Sequence, residues 1–103
     1  MMIARWHIDA RFGHKPELIE SMQGWSRDIA TQIGWTADKM RIATGSIGAL
    51  ESTIEVDVTI RDLKELDDSW AKLGSIDAHR KWSKTIEPLV VSGTPRWEIY
   101  RII

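Results

Sequence analysis

His7 and Asp9 stand two residues apart in an alternating stretch, so both side chains leave the same face of a strand. There an aspartate can orient the imidazole and set its tautomer, which is the arrangement of a general base and its positioning partner. The same spacing also suits a polar sheet face in which His7 and Asp9 meet Arg5, Arg41 or a partner chain. Glu55 and Asp57, again two apart, bring carboxylates to the same candidate cavity or to a pairing with arginine. These four residues are acceptable ligand types for Zn or Mn, but no ligand pair of recognisable spacing accompanies them, and no metal or other cofactor is expected. His79 shares a helical stripe with Trp82, which makes it a candidate for the mouth of a cavity or a hydrogen-bonded helix histidine. His14 falls in a turn and is expected to be exposed. No glycine-rich phosphate loop or serine nucleophile elbow occurs, so nucleotide chemistry has no support.

Six tryptophans against one phenylalanine and one tyrosine make the second chemical feature. Each indole adds a polar N–H that needs a partner when buried, so the choice suits a core, an interface or a stacking surface. Trp97 and Trp6 are the candidates for stacking on a ligand, with Glu55, Asp57 and His79 as its polar neighbours.

The elements that must position these residues follow from the hydrophobic period. Residues 2–12, 40–47, 53–60 and 96–103 alternate like strands, and 16–33 and 62–87 carry helical stripes. In the first strand Ala4, Trp6, Ile8, Ala10 and Phe12 share one face, opposite Arg5, His7, Asp9 and Arg11. Leu18, Met22, Trp25, Ile29 and Ile33 form the stripe of the first helix, which Pro16 can open and Gly34 can close as a left-handed cap. Ile54, Val56, Val58 and Ile60 give the cleanest half-buried strand pattern, reached by a hairpin loop around Gly48-Ala49-Leu50-Glu51. Asp62 is placed to cap the second helix, with Glu65 at capping-box spacing. Leu63, Leu66, Trp70 and Leu73 make its stripe; Gly74-Ser75 is expected to interrupt it, with Asp77 capping a second piece in which Ile76, His79, Trp82 and Ile86 share a face until Pro88. The order β-α-β-β-α-β predicts an α+β, ferredoxin-like domain: a four-stranded antiparallel sheet with the helices on one face. The other face, carrying Arg5, His7, Asp9, Glu55 and Asp57 with some of Met40, Ile42, Trp97 and Ile99 or their neighbours, is expected to be covered by a second copy, making a homodimeric barrel with room for a small ligand.

At 103 residues and 43% hydrophobic, the chain fits a single domain spanning residues 1–103 with a core of its own. Fourteen basic and fifteen acidic side chains leave a net charge of −1, with no basic run interleaved with aromatics, so nucleic acid is not an expected partner. No apolar run approaches the roughly 20 residues that cross a bilayer, and Met1-Met2-Ile3-Ala4-Arg5 leads into a strand, so the expectation is a cytoplasmic protein without a membrane partner. The absence of cysteine removes disulfides, thiolate nucleophiles and thiolate metal sites together.

Gly13-His14-Lys15-Pro16-Glu17 resembles the Pro-Gly-Lys type turn into the first helix of the dimeric α+β barrel superfamily, and in particular of its NIPSNAP-type and antibiotic-biosynthesis-monooxygenase-like small domains. The stretch from Trp70 through Trp82 to Ile86-Glu87-Pro88-Leu89 resembles that family's tryptophan and following apolar segment before the last strand. The resemblance implies the same dimeric barrel fold, which hosts cofactor-free monooxygenases, haem-handling enzymes, lyases and proteins of no assigned activity. The oxygenase branches pair an asparagine with a tryptophan in the cavity; this chain has no asparagine, so only the aromatic half, Trp97 or Trp6, carries over. Two functions follow as expectations. One is a protein that binds a small molecule in the barrel cavity. The other is a cofactor-independent monooxygenase or lyase acting on a small aromatic or polyketide-like substrate, with His7 as base, Asp9 as its orienter and Trp97 as the stacking surface.

Overall fold

The computed structural model describes all residues, 1–103. Strands β1 (Met2–Asp9), β2 (Met40–Thr44), β3 (Thr53–Ile60) and β4 (Arg96–Arg101) form one antiparallel sheet in the order β2-β3-β1-β4. Helices α1 (Lys15–Asp28), α2 (Leu63–Ser75) and α3 (Asp77–Ile86) complete a ferredoxin-like α+β fold. No helix is long and apolar enough to cross a membrane.

The alternation of β1 and β3 decides which face is covered. Ala4, Ile8, Ile54, Val56, Val58 and Ile60 are essentially inaccessible to solvent and pack under the helices with Leu18, Met22 and Leu66. Residues opposite one another in an antiparallel ladder point to the same side. Trp6 lies opposite both Val56 and Trp97, Ala4 opposite Ile99, Ile42 opposite Val56 and Met40 opposite Val58. Met40, Ile42, Trp97 and Ile99 therefore belong to the helix-covered face, and of the two alternatives it is their neighbours Arg41, Arg96 and Glu98 that share the open face with His7.

Several boundaries also differ from the periodicity. β1 stops at Asp9, beyond which only Ala10 bridges to Val90, and the turn at Gly13 (φ 84°) leaves Phe12 fully exposed instead of in the core. β2 ends at Thr44 because the chain folds back tightly at Gly45, where a Cβ would sit 1.7 Å from the Leu50 carbonyl oxygen. β4 ends at Arg101, two residues early. α1 ends at Asp28 and the stripe is completed by a 3-10 turn over Ala30–Ile33, closed by left-handed Gly34. Asp62 caps α2 as expected, its carboxylate accepting the Glu65 N–H at 2.9 Å, while the Glu65 carboxylate reaches back to the Arg61 N–H. The second helical segment breaks at Ile76 and not at Gly74-Ser75. Ile76 is extended (φ −85°, ψ 113°) and half-buried against the core, so its β-branched side chain enters where a continued helix would carry it past. Asp77 is then the first residue of α3 and does not cap it; its carboxylate meets Arg80 and Lys81, which hold it below the usual carboxylate range.

A tryptophan-lined candidate ligand site

The break at Ile76 sets α2 and α3 at different angles over the sheet and leaves a cleft between them and the strands. β1 and β3 supply its floor with Trp6 and Val56, and β4 adds Trp97. α1 contributes Trp25, and the connection after Gly34 contributes Trp35. The last two turns of α2 bring Trp70 and Leu73, three apart; α3 brings His79, Trp82, Ser83 and Ile86, the positions that one helix face presents. The cleft is about 330 Å³, and every tryptophan of the chain lines it. That volume lies at the lower end of small-molecule sites.

The indoles form one continuous set. Trp97 lies 6.4 Å from Trp6, 6.3 Å from Trp35 and 5.3 Å from Trp70, measured between ring centroids. Trp25 lies 6.2 Å from Trp35 in an edge-on contact and stacks 5.4 Å from Trp82, which in turn stacks on His79 at 5.8 Å. These are ordinary aromatic contact distances. Trp70 is 38% exposed and stands where the cleft meets solvent.

His79 is the only titratable group in the lining, and Ser83 its only other polar side chain. The Trp25 indole N–H donates to His79 Nδ1 at 3.0 Å. An indole nitrogen can only donate, so Nδ1 must be unprotonated and the proton of the neutral ring lies on Nε2. Burial pushes the His79 imidazole below its ordinary value, and a donor aimed at Nδ1 favours the same neutral form. The Ser83 hydroxyl donates to the His79 carbonyl at 2.9 Å, which leaves its oxygen as an acceptor. The Trp82 N–H is committed to Ser21, at 3.0 Å to the hydroxyl and 3.2 Å to the carbonyl. The N–H groups of Trp6, Trp35, Trp70 and Trp97 have no acceptor within the chain, and no fully buried side-chain polar atom is left unpaired.

The remaining sequence candidates lie on the opposite face of the sheet. His7 Nδ1 is 3.2 Å from Glu55 and its Nε2 3.7 Å from Asp9, whose carboxylate also accepts the Thr53 hydroxyl at 2.9 Å. Arg5 makes a two-pronged bond to Asp57, at 2.7 and 3.1 Å, lies 3.4 Å from Glu55 and stands 5.0 Å over the Tyr100 ring. The Asp57 hydrogen bonds raise the proton affinity of Arg5 still further. No three of these side chains converge as metal ligands. The structure thus brings Trp6, Trp97 and His79 together in the cleft and separates them from His7, Asp9, Glu55 and Asp57 by the thickness of the sheet. A single site built from His7, Asp9 and Trp97 is ruled out by register: β1 alternates, and it is Trp6, not His7, that lies with Trp97. Trp25, Trp35, Trp70, Trp82 and Ser83 went unnamed as site residues; the excess of tryptophan, with one on each helical stripe, is the signal they left.

No protein-family model matches this chain, and no curated protein sequence matches it. Among solved structures, an uncharacterized NIPSNAP domain protein from Burkholderia xenovorans superposes with a TM-score of 0.80 at 15% identity, over 100% of this chain and 95% of the other. A NIPSNAP family protein from Agrobacterium tumefaciens also gives 0.80, at 18% identity, over 100% and 94%. The chain shares its fold with these NIPSNAP proteins. A dimeric protein of unknown function with a ferredoxin-like fold from Bacteroides fragilis is similar at a TM-score of 0.67 and 11% identity, over 98% and 96%. The NIPSNAP-type likeness accounts for the whole architecture and leaves the contents of the cleft to be argued from its own residues.

Proposed function

We propose that this chain binds a small, flat, largely apolar molecule in the cleft between its sheet and its helices. The observation that carries this is the convergence of all six tryptophans on one open cleft of about 330 Å³ with no charged side chain in its lining. Aromatic walls enclosing open space and holding few polar groups are what such ligands require. The cleft is built within one chain, on the far side of the sheet from any barrel that two copies would enclose, so the reading moves the ligand from the dimer interior into the protomer. A second pocket of about 350 Å³ shares Trp6, Ser83 and Ile86 with it, leaving room for a substituent near Ser92 and Gly93.

The homodimer belongs to the same reading. The face opposite the helices holds an ordered network around Arg5, His7, Glu55 and Asp57, with His7 only 8% exposed, and a protein of the same fold is described as dimeric. We read His7 and Asp9 as members of that network. Both nitrogens of His7 face carboxylates, a geometry that serves ion pairing better than proton abstraction from a substrate.

The test is native mass spectrometry of freshly purified protein, followed by titration with naphthalene while the six indole N–H signals are watched by NMR. Extra mass lost on denaturation, or a saturable shift of several indole signals together, is the expected result. A pocket-filling Ser83→Leu variant should abolish the shift and keep the fold. No co-purifying mass, together with no saturable indole response, would overturn the proposal.

A further inference from the structure

The hydrogen-bonding capacity of the cleft is lopsided. On the donor side stand the His79 Nε2–H, left without a partner because Trp25 occupies Nδ1, and the lining indoles Trp6, Trp35, Trp70 and Trp97, whose N–H groups find no acceptor in the chain. On the acceptor side only the Ser83 oxygen remains. No Asp or Glu is present to neutralise a cation, and no Lys or Arg to neutralise an anion. The faces of indoles attract cations, but no carboxylate of the cleft itself stands ready to balance one, Glu87 lining only the adjoining pocket. An anion would have to be stripped of water against apolar walls with no countercharge. A neutral acceptor atom meets neither penalty.

We infer, resting on the ligand-site reading above, that the occupant is an uncharged flat molecule bearing carbonyl-type acceptor oxygens, with His79 as the donor that selects it and Trp25 as the positioning residue that keeps the His79 proton on Nε2. A carbonyl oxygen accepts from Nε2–H, and the ring lies among the indoles. Trp25 acts through His79: without its N–H, the imidazole is free to move its proton to Nδ1 and offer a lone pair instead.

Four bicyclic probes of similar size separate the possibilities: naphthalene, coumarin, 1-naphthoate and a naphthyl-trimethylammonium salt. Dissociation constants are read by NMR from the indole signals of the intact protein. The expected order places coumarin roughly tenfold tighter than naphthalene, the gain of one or two neutral hydrogen bonds, with both ions weaker than naphthalene. In His79→Phe, coumarin should fall to the affinity of naphthalene, whose own binding persists. The ring nitrogens of His79, observed by 15N NMR in the unaltered protein, should report the Nε2–H form, and Trp25→Phe should shift that equilibrium toward Nδ1–H. Equal binding of coumarin and naphthalene, preference for either ion, or an Nδ1–H ring in the unaltered protein overturns this inference and leaves the ligand site standing. Failure of all four probes to bind removes the ligand site and this inference with it.

Discussion

Breaking the contact between Trp25 and His79 should cost the fold an amount set by one hydrogen bond and one small void. The bond is 3.0 Å long and joins a nearly buried indole to a half-buried imidazole. A neutral pair of this kind contributes about 1 kcal/mol net. Trp25→Phe also removes a ring's worth of packing from a residue only 5% exposed, worth about 1 kcal/mol more at the usual cost of a partly relaxed cavity. The single variant should therefore lose about 2 kcal/mol, a fall in Tm of roughly 10 °C for a domain of this size. His79→Phe should lose a similar amount, since it leaves no cavity but strands the Trp25 N–H, on a residue only 5% exposed, without its acceptor. In the double variant the hydrogen bond is already gone, so the cycle should give a coupling of about 1 kcal/mol. The assay is urea unfolding followed by far-UV circular dichroism at fixed protein concentration, because fluorescence would change with the mutated indole itself. Proton linkage supplies the second check. With its folded value held below the ordinary 6.5 or so by burial, His79 binds protons more readily in the unfolded chain, so its contribution is present above that value and is lost as pH falls through the folded one. The coupling should therefore be full at pH 8 and shrink toward pH 5, where a protonated Nδ1 can no longer accept. A coupling below about 0.3 kcal/mol at pH 8, or one that grows on acidification, would show that Trp25 does not donate to Nδ1, and the tautomer deduction would fall with it.

Trp70 is 38% exposed and touches Trp97 edge-on, so Trp70→Ala should cost about 2 kcal/mol of stability and weaken naphthalene binding severalfold, measurable by thermal melts and NMR titration on one sample. Gly45→Ala places a methyl 1.7 Å from the Leu50 carbonyl oxygen, and because that neighbour is backbone the hairpin must shift; a loss above about 2 kcal/mol is expected in urea unfolding, and a neutral result would mean the loop is built otherwise. Asp57→Ala leaves Arg5 with only Glu55 at 3.4 Å and the Tyr100 ring, so about 1–2 kcal/mol should be lost. If the open face is the homodimer contact, light scattering should show dissociation of that variant at lower concentration, whereas an unchanged dimer would place the contact elsewhere.

The strand and helix order was legible from period alone, because alternate residues of β1 and β3 and every third or fourth residue of α1 must be apolar to bury one face. Capping chemistry likewise announced Asp62 and Gly34. What the period does not record is where a regular element yields to its surroundings: the break at Ile76, the early end of β2 at Gly45 and the exposure of Phe12 depend on what each residue meets across the fold. The candidate site divided in the same way. The sequence by itself determined that His7 shares a strand face with Asp9, and Glu55 with Asp57, since alternation is local, and that tryptophan is used where phenylalanine would suffice for a core. Only the tertiary structure decided that Trp97 faces away from His7 and that Trp25 meets His79. The register between β1 and β4 and the angle between α2 and α3 are set by packing between residues distant in the chain, and no local spacing encodes them.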